Sequence, residues 1–223
     1  YVHNTHEMNR HTPFLDIIWS SNLCQEIGLP TKPFRDMIDL YSQESEGEIG
    51  LCNLLAIVAG RVTPETYQDA AYYGLLMVDN VIDIMAYPFP SLKTSAQARR
   101  SVGIGITNLA YDLANRGLPY DCQAAKDYVH RLMEMHSYWL HEASLRLAKE
   151  KGVASWMHKT KYPAGWLPLD TYNREVDKIT SQKNMYDWED LRIRIVANGG
   201  IRNSVLEAFM PCESSSIASN TTN

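Results

Sequence analysis

Between residues 45 and 117 the chain alternates apolar runs without helical spacing and capped helical stretches, and this order limits the fold more than any other feature. The run SEGEIGLCNLLAIVAG (45–60) reads as extended and ends at Gly60. Thr63-Pro64 then opens a helix: a threonine hydroxyl can cap free N–H groups, and proline fits the first helical position. That helix is expected to reach about Met85 and to stop before Pro88 and Pro90. SVGIGITNLAYDLANRG (101–117) reads as a strand followed by a short helix ended by Gly117. Asp121 is placed to cap the longest helix, Cys122 to Lys151, with Gly152 as its stop. Ala125, Val129, Leu132, Met133, Leu140, Ala143 and Leu147 give that helix an apolar stripe. YPAGWLPLD (162–170) reads as loop, YDWEDLRIRIVANGG (186–200) as a helix ended at Gly199-Gly200, and IRNSVLEAFMP (201–211) as a strand. Strands alternating with helices predict an α/β architecture with parallel strands, and the pattern alone leaves barrel and open sheet unseparated.

A hydrophobic content of 45% over 223 residues supports a substantial core. The net charge of -5 argues against a nucleic-acid surface, which needs a basic patch. No run of 18 apolar residues is present, so no membrane span is expected, and the start YVHNTHEMNRH lacks a secretory pattern; a cytoplasmic location is the expectation. Cys24, Cys52, Cys122 and Cys212 are widely spaced, with no CxxC pair and no zinc-finger spacing. A disulfide scaffold is not expected, and the default reading of each cysteine is a small buried apolar side chain.

Several short motifs carry more. In SNLCQEI (21–27), an extended backbone would put Asn22, Cys24 and Glu26 on one face and Leu23, Gln25 and Ile27 on the other. That is either an edge strand with an incidental cysteine or a working face with a thiol beside a base. MPCESSS (210–216) follows a predicted strand and precedes a predicted helix start, an arrangement that presents backbone N–H groups and hydroxyls to an anion; an ordinary serine-rich cap fits equally. GIGITN (103–108) lacks the third glycine of a dinucleotide loop, and its glycines are read as close strand–helix packing. His3, His6 and His11 lack a supporting carboxylate or second spaced pair, so they read as polar loop residues and no metal site is assigned. Of the adjacent Tyr72 and Tyr73 on a helix, one is expected to pack and the other to face solvent.

SNLCQEIGLPT (21–31), GEIGLCNL (47–54), RRSVGIGITNLAYDLA (99–114), LPLDTY (167–172) and RNSVLEAFMPCESSSIASNTTN (202–223) together, in this order, resemble the large catalytic subunit of class I ribonucleotide reductase, over essentially the whole chain. Adenosylcobalamin-dependent relatives share part of the pattern; SNLC, LPT and MP-ESS stand closer to class I. The resemblance implies a ten-stranded α/β barrel with the reactive cysteine on an internal loop, of which residues 1–223 would form an incomplete central-to-C-terminal part, as a fragment or a split-gene product. An earlier redox cysteine, a downstream tandem tyrosine, a C-terminal cysteine pair and the allosteric nucleotide sites of the family would lie outside this chain. Tyr72-Tyr73 stands in the wrong context to replace the tandem tyrosine.

What the resemblance implies for chemistry is reduction of ribonucleoside diphosphates to 2′-deoxyribonucleotides, with the isolated chain expected to be inactive. Cys24 would be the transient thiyl radical, Glu26 the general base on the 3′-hydroxyl, and Asn22 an amide donor to the sugar. Cys52 would be the redox-active cysteine, pairing with one outside the chain. Pro211, Cys212, Glu213, Ser214 and Ser215 would bind the diphosphate, with Cys212 standing where a hydroxyl residue is expected and therefore a weaker donor. No cofactor would be bound by this chain. The radical would come from a metal-containing small subunit, and thioredoxin or glutaredoxin would restore the thiols. The alternative is a non-catalytic structural half that completes a barrel only with a partner polypeptide. A plain thiol oxidoreductase is disfavoured because no CxxC is present.

Overall fold

A computed structural model describes residues 4–223. After a short helix α1 (Thr5–Arg10), the chain runs to residue 52 without a regular helix or strand, apart from one 3-10 turn at Asp39–Tyr41. Then β1 (Asn53–Val58), α2 (Pro64–Ile84), α3 (Pro90–Arg99), β2 (Val102–Thr107), α4 (Leu109–Asn115) and α5 (Gln123–Lys151) follow. Short 3-10 turns connect α5 to α6 (Trp188–Ala197), and α7 (Glu213–Ser219) comes last.

β1 and β2 pair in parallel from Asn53↔Val102 to Val58↔Thr107, joined by the α2–α3 crossover that parallel strands require. The expected third strand is instead an extended segment. Val102 N–H donates to Val205 O and Ile104 N–H to Leu206 O, and Ile104 forms one parallel bridge with Glu207. Its start is held by side chains rather than by a ladder: Ser204 Oγ lies 2.9 Å from Ser101 Oγ, and Ser144 Oγ donates to Asn203 Oδ1 at 2.9 Å, all buried. The described residues thus form a mixed α/β structure with a small open parallel sheet.

α2 forms where the sequence predicts it. Thr63 N–H bonds the Thr66 hydroxyl at 3.1 Å and Pro64 takes the first position. Tyr67, Ala71, Leu75, Val78 and Ile82, spaced three or four apart, turn one face inward. They meet Leu132, Leu140, Ala143 and Leu147 of α5 and Ile57, Val102 and Ile104 of the strands in one apolar core. His136 joins these layers. Its Nε2 lies 2.9 Å from Ile104 O, which can only accept, so Nε2 carries the proton and Nδ1 accepts from the Tyr67 hydroxyl at 2.8 Å. Tyr72 is buried and Tyr73 exposed, as expected of neighbours on a helix.

Two local expectations are corrected. Cys122, not Asp121, caps α5: its sulfur accepts from Ala125 N–H at 3.4 Å. Pro88 and Pro90 end α2, but Pro90 also starts α3, because a proline in the first position has no intrahelical N–H bond to lose. Gly152, with φ +85°, terminates α5 as predicted.

Candidate active site

Residues 21–28 do not form an extended strand. Ser21 and Gly28 make a single antiparallel bridge, and the residues between them reverse direction. Gln25 N–H donates to Asn22 O at 3.2 Å, closing a turn over Asn22–Gln25, and Gln25 sits in the left-handed region at φ +64°. Asn22 N–H donates to Ile27 O at 3.1 Å, and Asn22 Oδ1 accepts from Ile27 N–H at 3.2 Å. The asparagine amide therefore competes successfully with a strand ladder for the local N–H groups. A two-residue period no longer assigns faces. Cys24 is exposed near the tip, Leu23 beside it is 96% exposed, and Ile27 is buried.

The hairpin is anchored at its base. Asn9 bonds both backbone groups of Ile18, with Ile18 N–H donating to Oδ1 at 2.7 Å and Nδ2 donating to Ile18 O at 2.8 Å. Ile18 is buried. Glu26 Oε2 is buried without a hydrogen-bond partner among the described residues, although the residue as a whole is half-buried. A buried acceptor with no donor is a place for a ligand hydroxyl.

Cys52 lies directly before β1. Burial, with the Glu26 charge adding to it, pushes the Cys52 thiol up to about 12, so it remains a thiol at neutral pH. Gly103 makes room for it: a Cβ there would stand 3.0 Å from Cys52 Sγ and 2.7 Å from both Ala208 Cβ and Leu54 Cδ2. Gly105 likewise accommodates the backbone of Ala208 and Phe209. The glycines of GIGITN thus serve contact with Cys52 and the 206–210 segment, which corrects the expectation of strand–helix packing. The sulfur and this segment share one face of the sheet.

Next to that face is a cavity of about 430 Å³ lined by Leu54, Leu55, Ala56 and the loop Met210–Ser215. Pro211, Glu213, Ser214 and Ser215 are exposed at its wall and Cys212 is buried. Cys212 differs from its neighbours. Its thiol donates to Met210 O at 3.4 Å and its N–H to Asn223 Oδ1 at 2.5 Å, so both of its donors are used inside the chain. Glu213, Ser214 and Ser215 occupy the first turn of α7, whose N–H groups have no partner within a helix. The Ser215 hydroxyl donates to Cys212 O at 3.0 Å.

The structure therefore sets Glu26 near enough for its charge to act on Cys52, and places Cys52 and the 211–215 loop on adjoining parts of the sheet. Sequence reasoning missed Leu54, Ala56 and Met210 as cavity walls, and the buried Arg99, whose guanidinium bonds Glu48 and Asp16. The adjacent arginines of QARRSVGIG were a signal, since charged side chains directly before an apolar strand must find partners or water. No group of three His, Cys, Asp or Glu side chains is arranged for a metal ion among the described residues. His3 lies outside those residues, and His11 Nε2 is 3.8 Å from Glu7. Among the described residues no helix is long and apolar enough to cross a membrane.

Comparison with known proteins covers the whole chain. The ribonucleoside-diphosphate reductase subunit alpha of Haemophilus influenzae is 40% identical over 227 residues. Subunit alpha of enterobacteria phage T4 is 39% identical over 229 residues, and ribonucleoside-diphosphate reductase 1 subunit alpha of Escherichia coli is 40% identical over 226. Each alignment covers 100% of this chain and 29% of the relative, so the chain spans under a third of the length of these relatives. A family model for the ribonucleotide reductase barrel domain matches residues 1–223 throughout. With a thiol-bearing hairpin, a half-buried second thiol and a loop-lined cavity on one small parallel sheet, matched from end to end by that model, the chain belongs to the ribonucleotide reductase barrel-domain family.

Proposed function

We propose that this chain contributes the thiol chemistry of a class I ribonucleoside-diphosphate reductase large subunit, reducing ribonucleoside diphosphates to 2′-deoxyribonucleoside diphosphates once the remainder of the subunit is present. Residues 1–223 are part of its catalytic domain, and β1, β2 and the 201–210 segment are part of a ten-stranded α/β barrel. The observation that carries this reading is the contrast between two thiols. Cys24 is exposed on a tight hairpin two residues before Glu26, and Cys52 is half-buried at the entrance to β1, where burial and the Glu26 charge raise its pKa.

Hydroxide is a poor leaving group, and a radical on the neighbouring sugar carbon eases its loss. Cys24, as a thiyl radical, removes the 3′-hydrogen and becomes a thiol. Glu26, whose Oε2 lacks a donor, accepts the 3′-hydroxyl proton. Asn22 keeps its Nδ2–H group for the sugar, since its Oδ1 is taken by Ile27 N–H. The 2′-hydroxyl leaves as water with a proton from one redox thiol. Cys52 and a cysteine outside this chain then deliver a hydrogen atom to the 2′-carbon and one further electron to the 3′-carbonyl, forming a disulfide, while Glu26 returns its proton to the 3′-oxygen. Cys24 returns its hydrogen to the 3′-carbon and is again a thiyl radical. The net change converts one ribonucleotide and one dithiol into one deoxyribonucleotide, one disulfide and water.

Pro211 and the N–H groups of Glu213, Ser214 and Ser215 hold the diphosphate in the 430 Å³ cavity, and Cys212 shapes the loop from behind. The chain binds no metal itself. A separate radical-generating subunit, a thioredoxin- or glutaredoxin-type reductant and the rest of the large subunit complete the system. The test is Cys24→Ser in the completed subunit: nucleotide binding stays and turnover disappears, because an O–H bond is too strong for the serine oxygen to take the radical. Substantial deoxynucleotide formation by that variant contradicts the proposal and favours a structural role for this chain.

A further inference from the structure

We infer that Arg99 is a positioning residue for the two-thiol site: its guanidinium, shared between Asp16 and Glu48, fixes the hairpin that carries Cys24 and Glu26 against the strand entrance that carries Cys52. The inference rests on the proposed roles of those residues.

Arg99 ends α3 and is 4% exposed. Its Nη2 donates to Asp16 Oδ2 at 2.7 Å and to Glu48 Oε2 at 2.9 Å, and its Nε donates to Glu48 Oε1. The rings of Phe14 and Trp156 flank it, each with its centroid 5.4 Å from the guanidinium carbon. Burial pulls its pKa down, and the hydrogen bonds it donates to Glu48 and Asp16 outweigh that and leave it raised, so the charge is kept.

The two carboxylates lie on the two elements whose spacing matters. Asp16 is just upstream of Ser21, where the hairpin opens, and Glu48 is just upstream of Cys52. The second leg of the hairpin is held too. Lys32 and Glu48 exchange backbone hydrogen bonds of 3.0 Å in both directions, and Lys32 Nζ reaches Asp16 Oδ1 at 3.5 Å. Gly50 lets the strand entrance approach that leg, since a Cβ there would meet Leu29 Cβ at 2.9 Å. Arg99 thus closes a ring: hairpin leg, Asp16, guanidinium, Glu48, second leg. Its own carbonyl accepts from Ser204 N–H at 3.0 Å, so the clamp is also tied to the segment leading to the 210–215 loop.

A buried ion cluster of this kind is a poor source of net stability compared with apolar packing, because the charges lose their hydration. What it supplies is geometry: a planar fork accepts two carboxylates only in one arrangement. No regular ladder spans residues 11–52, and the clamp fixes register where a ladder would otherwise do so.

The effect of Glu26 on Cys52 serves as a ruler. In the full 223-residue chain, alkylation of Cys52 at mildly alkaline pH is followed by peptide mass spectrometry, with and without Glu26→Gln. Removing the carboxylate charge is expected to speed alkylation by about three- to tenfold, since the thiolate is the reacting form and one pKa unit is a tenfold change in its population. In an Asp16→Asn background, and in an Arg99→Lys background, Glu26→Gln is expected to change the rate by less than about 1.5-fold, on the same proportionality. A purely structural role for Arg99 lowers the melting temperature and leaves the Glu26 effect on the folded protein at its parental size. That equality of effect across all backgrounds overturns the inference. So does a parent chain in which Glu26→Gln leaves the Cys52 rate unchanged. Should Arg99→Lys fail to fold by circular dichroism, Asp16→Asn, which leaves the Arg99–Glu48 pair intact, carries the test. No nucleotide enters this experiment, so its failure is separable from failure of the reductase reading, which the turnover of Cys24→Ser decides.

Discussion

The layers formed by β1, β2, α2 and α5 and the region of residues 11–52 are built by different means. The first is regular structure with a continuous apolar interior, in which Leu75, Ile104, Leu140 and Leu147 are 0% exposed. The second has no ladder longer than single bridges at Phe14↔Thr160, Ser21↔Gly28 and Lys32↔Glu48. It is held by specific side chains: Asn9 on Ile18, Asn22 on Ile27, Arg99 on Asp16 and Glu48. Packing gives the first region its stability. In the second, polar clamps give an exposed thiol a defined place without enclosing it. A loop that must admit substrate cannot also be buried on all sides, and the rigid sheet beneath it supplies the reference frame.

Breaking the first region has the largest expected effect on stability. Leu75→Ala removes a fully buried side chain between α2 and the strands and is expected to cost about 2–5 kcal/mol. Urea denaturation checks it, and a loss under about 1 kcal/mol would show that this core relaxes freely around the cavity. Breaking the second region at the carboxylate acts on chemistry. On the proposed mechanism Glu26→Gln keeps shape and removes the base, and turnover of the completed enzyme is expected to fall by roughly 10²-fold or more. A near-normal rate would reduce Glu26 to a polar residue of the turn.

The difference between the regions is also the difference in what was legible beforehand. α2, α5, α6 and the stops at Gly117 and Gly152 follow from periodicity and capping, which are local signals. The β1–β2 pair was visible as two apolar runs around a helical crossover, although β1 starts only at Asn53. α3 was hidden because Ser91, Thr94, Ser95 and Gln97 give it little amphipathic contrast, and because Pro90 reads as a stop. SNLCQEI was misjudged as extended because alternation resembles a strand, whereas a left-handed Gln25 and the Asn22 amide turn it back. Local pattern singled out Asn22, Cys24, Glu26 and the 210–216 loop as candidates, and family resemblance supplied their roles. The Arg99 clamp joins residues 51 and 83 positions apart, a pairing no local pattern encodes.

A smaller effect sharpens the same comparison. His136 and His141 lie in the packed region, and burial holds both imidazoles below their ordinary range. The unfolded chain therefore binds protons that the folded chain refuses. Stability contributed by these neutral histidines is complete above about pH 6.5 and is lost as pH falls below it, by up to about 1.4 kcal/mol per pH unit for each. Melting curves between pH 7.5 and 5 measured in urea check the sign, with His136→Gln expected to flatten the slope. A stability that rises on acidification through this range would place the charge balance elsewhere.

The central claim is that the two cysteines do successive jobs, Cys24 starting the reaction and Cys52 supplying electrons after it has started. The most direct measurement follows a nucleotide labelled at the 3′-carbon and its base in the completed, radical-supplied subunit. Cys52→Ser is expected to abstract the 3′-hydrogen, stall, and release free base with loss of the radical, whereas Cys24→Ser is expected to leave the nucleotide intact. Base release by Cys24→Ser, or an untouched nucleotide with Cys52→Ser, would contradict the assignment of the exposed hairpin thiol as initiator and the half-buried thiol as reductant.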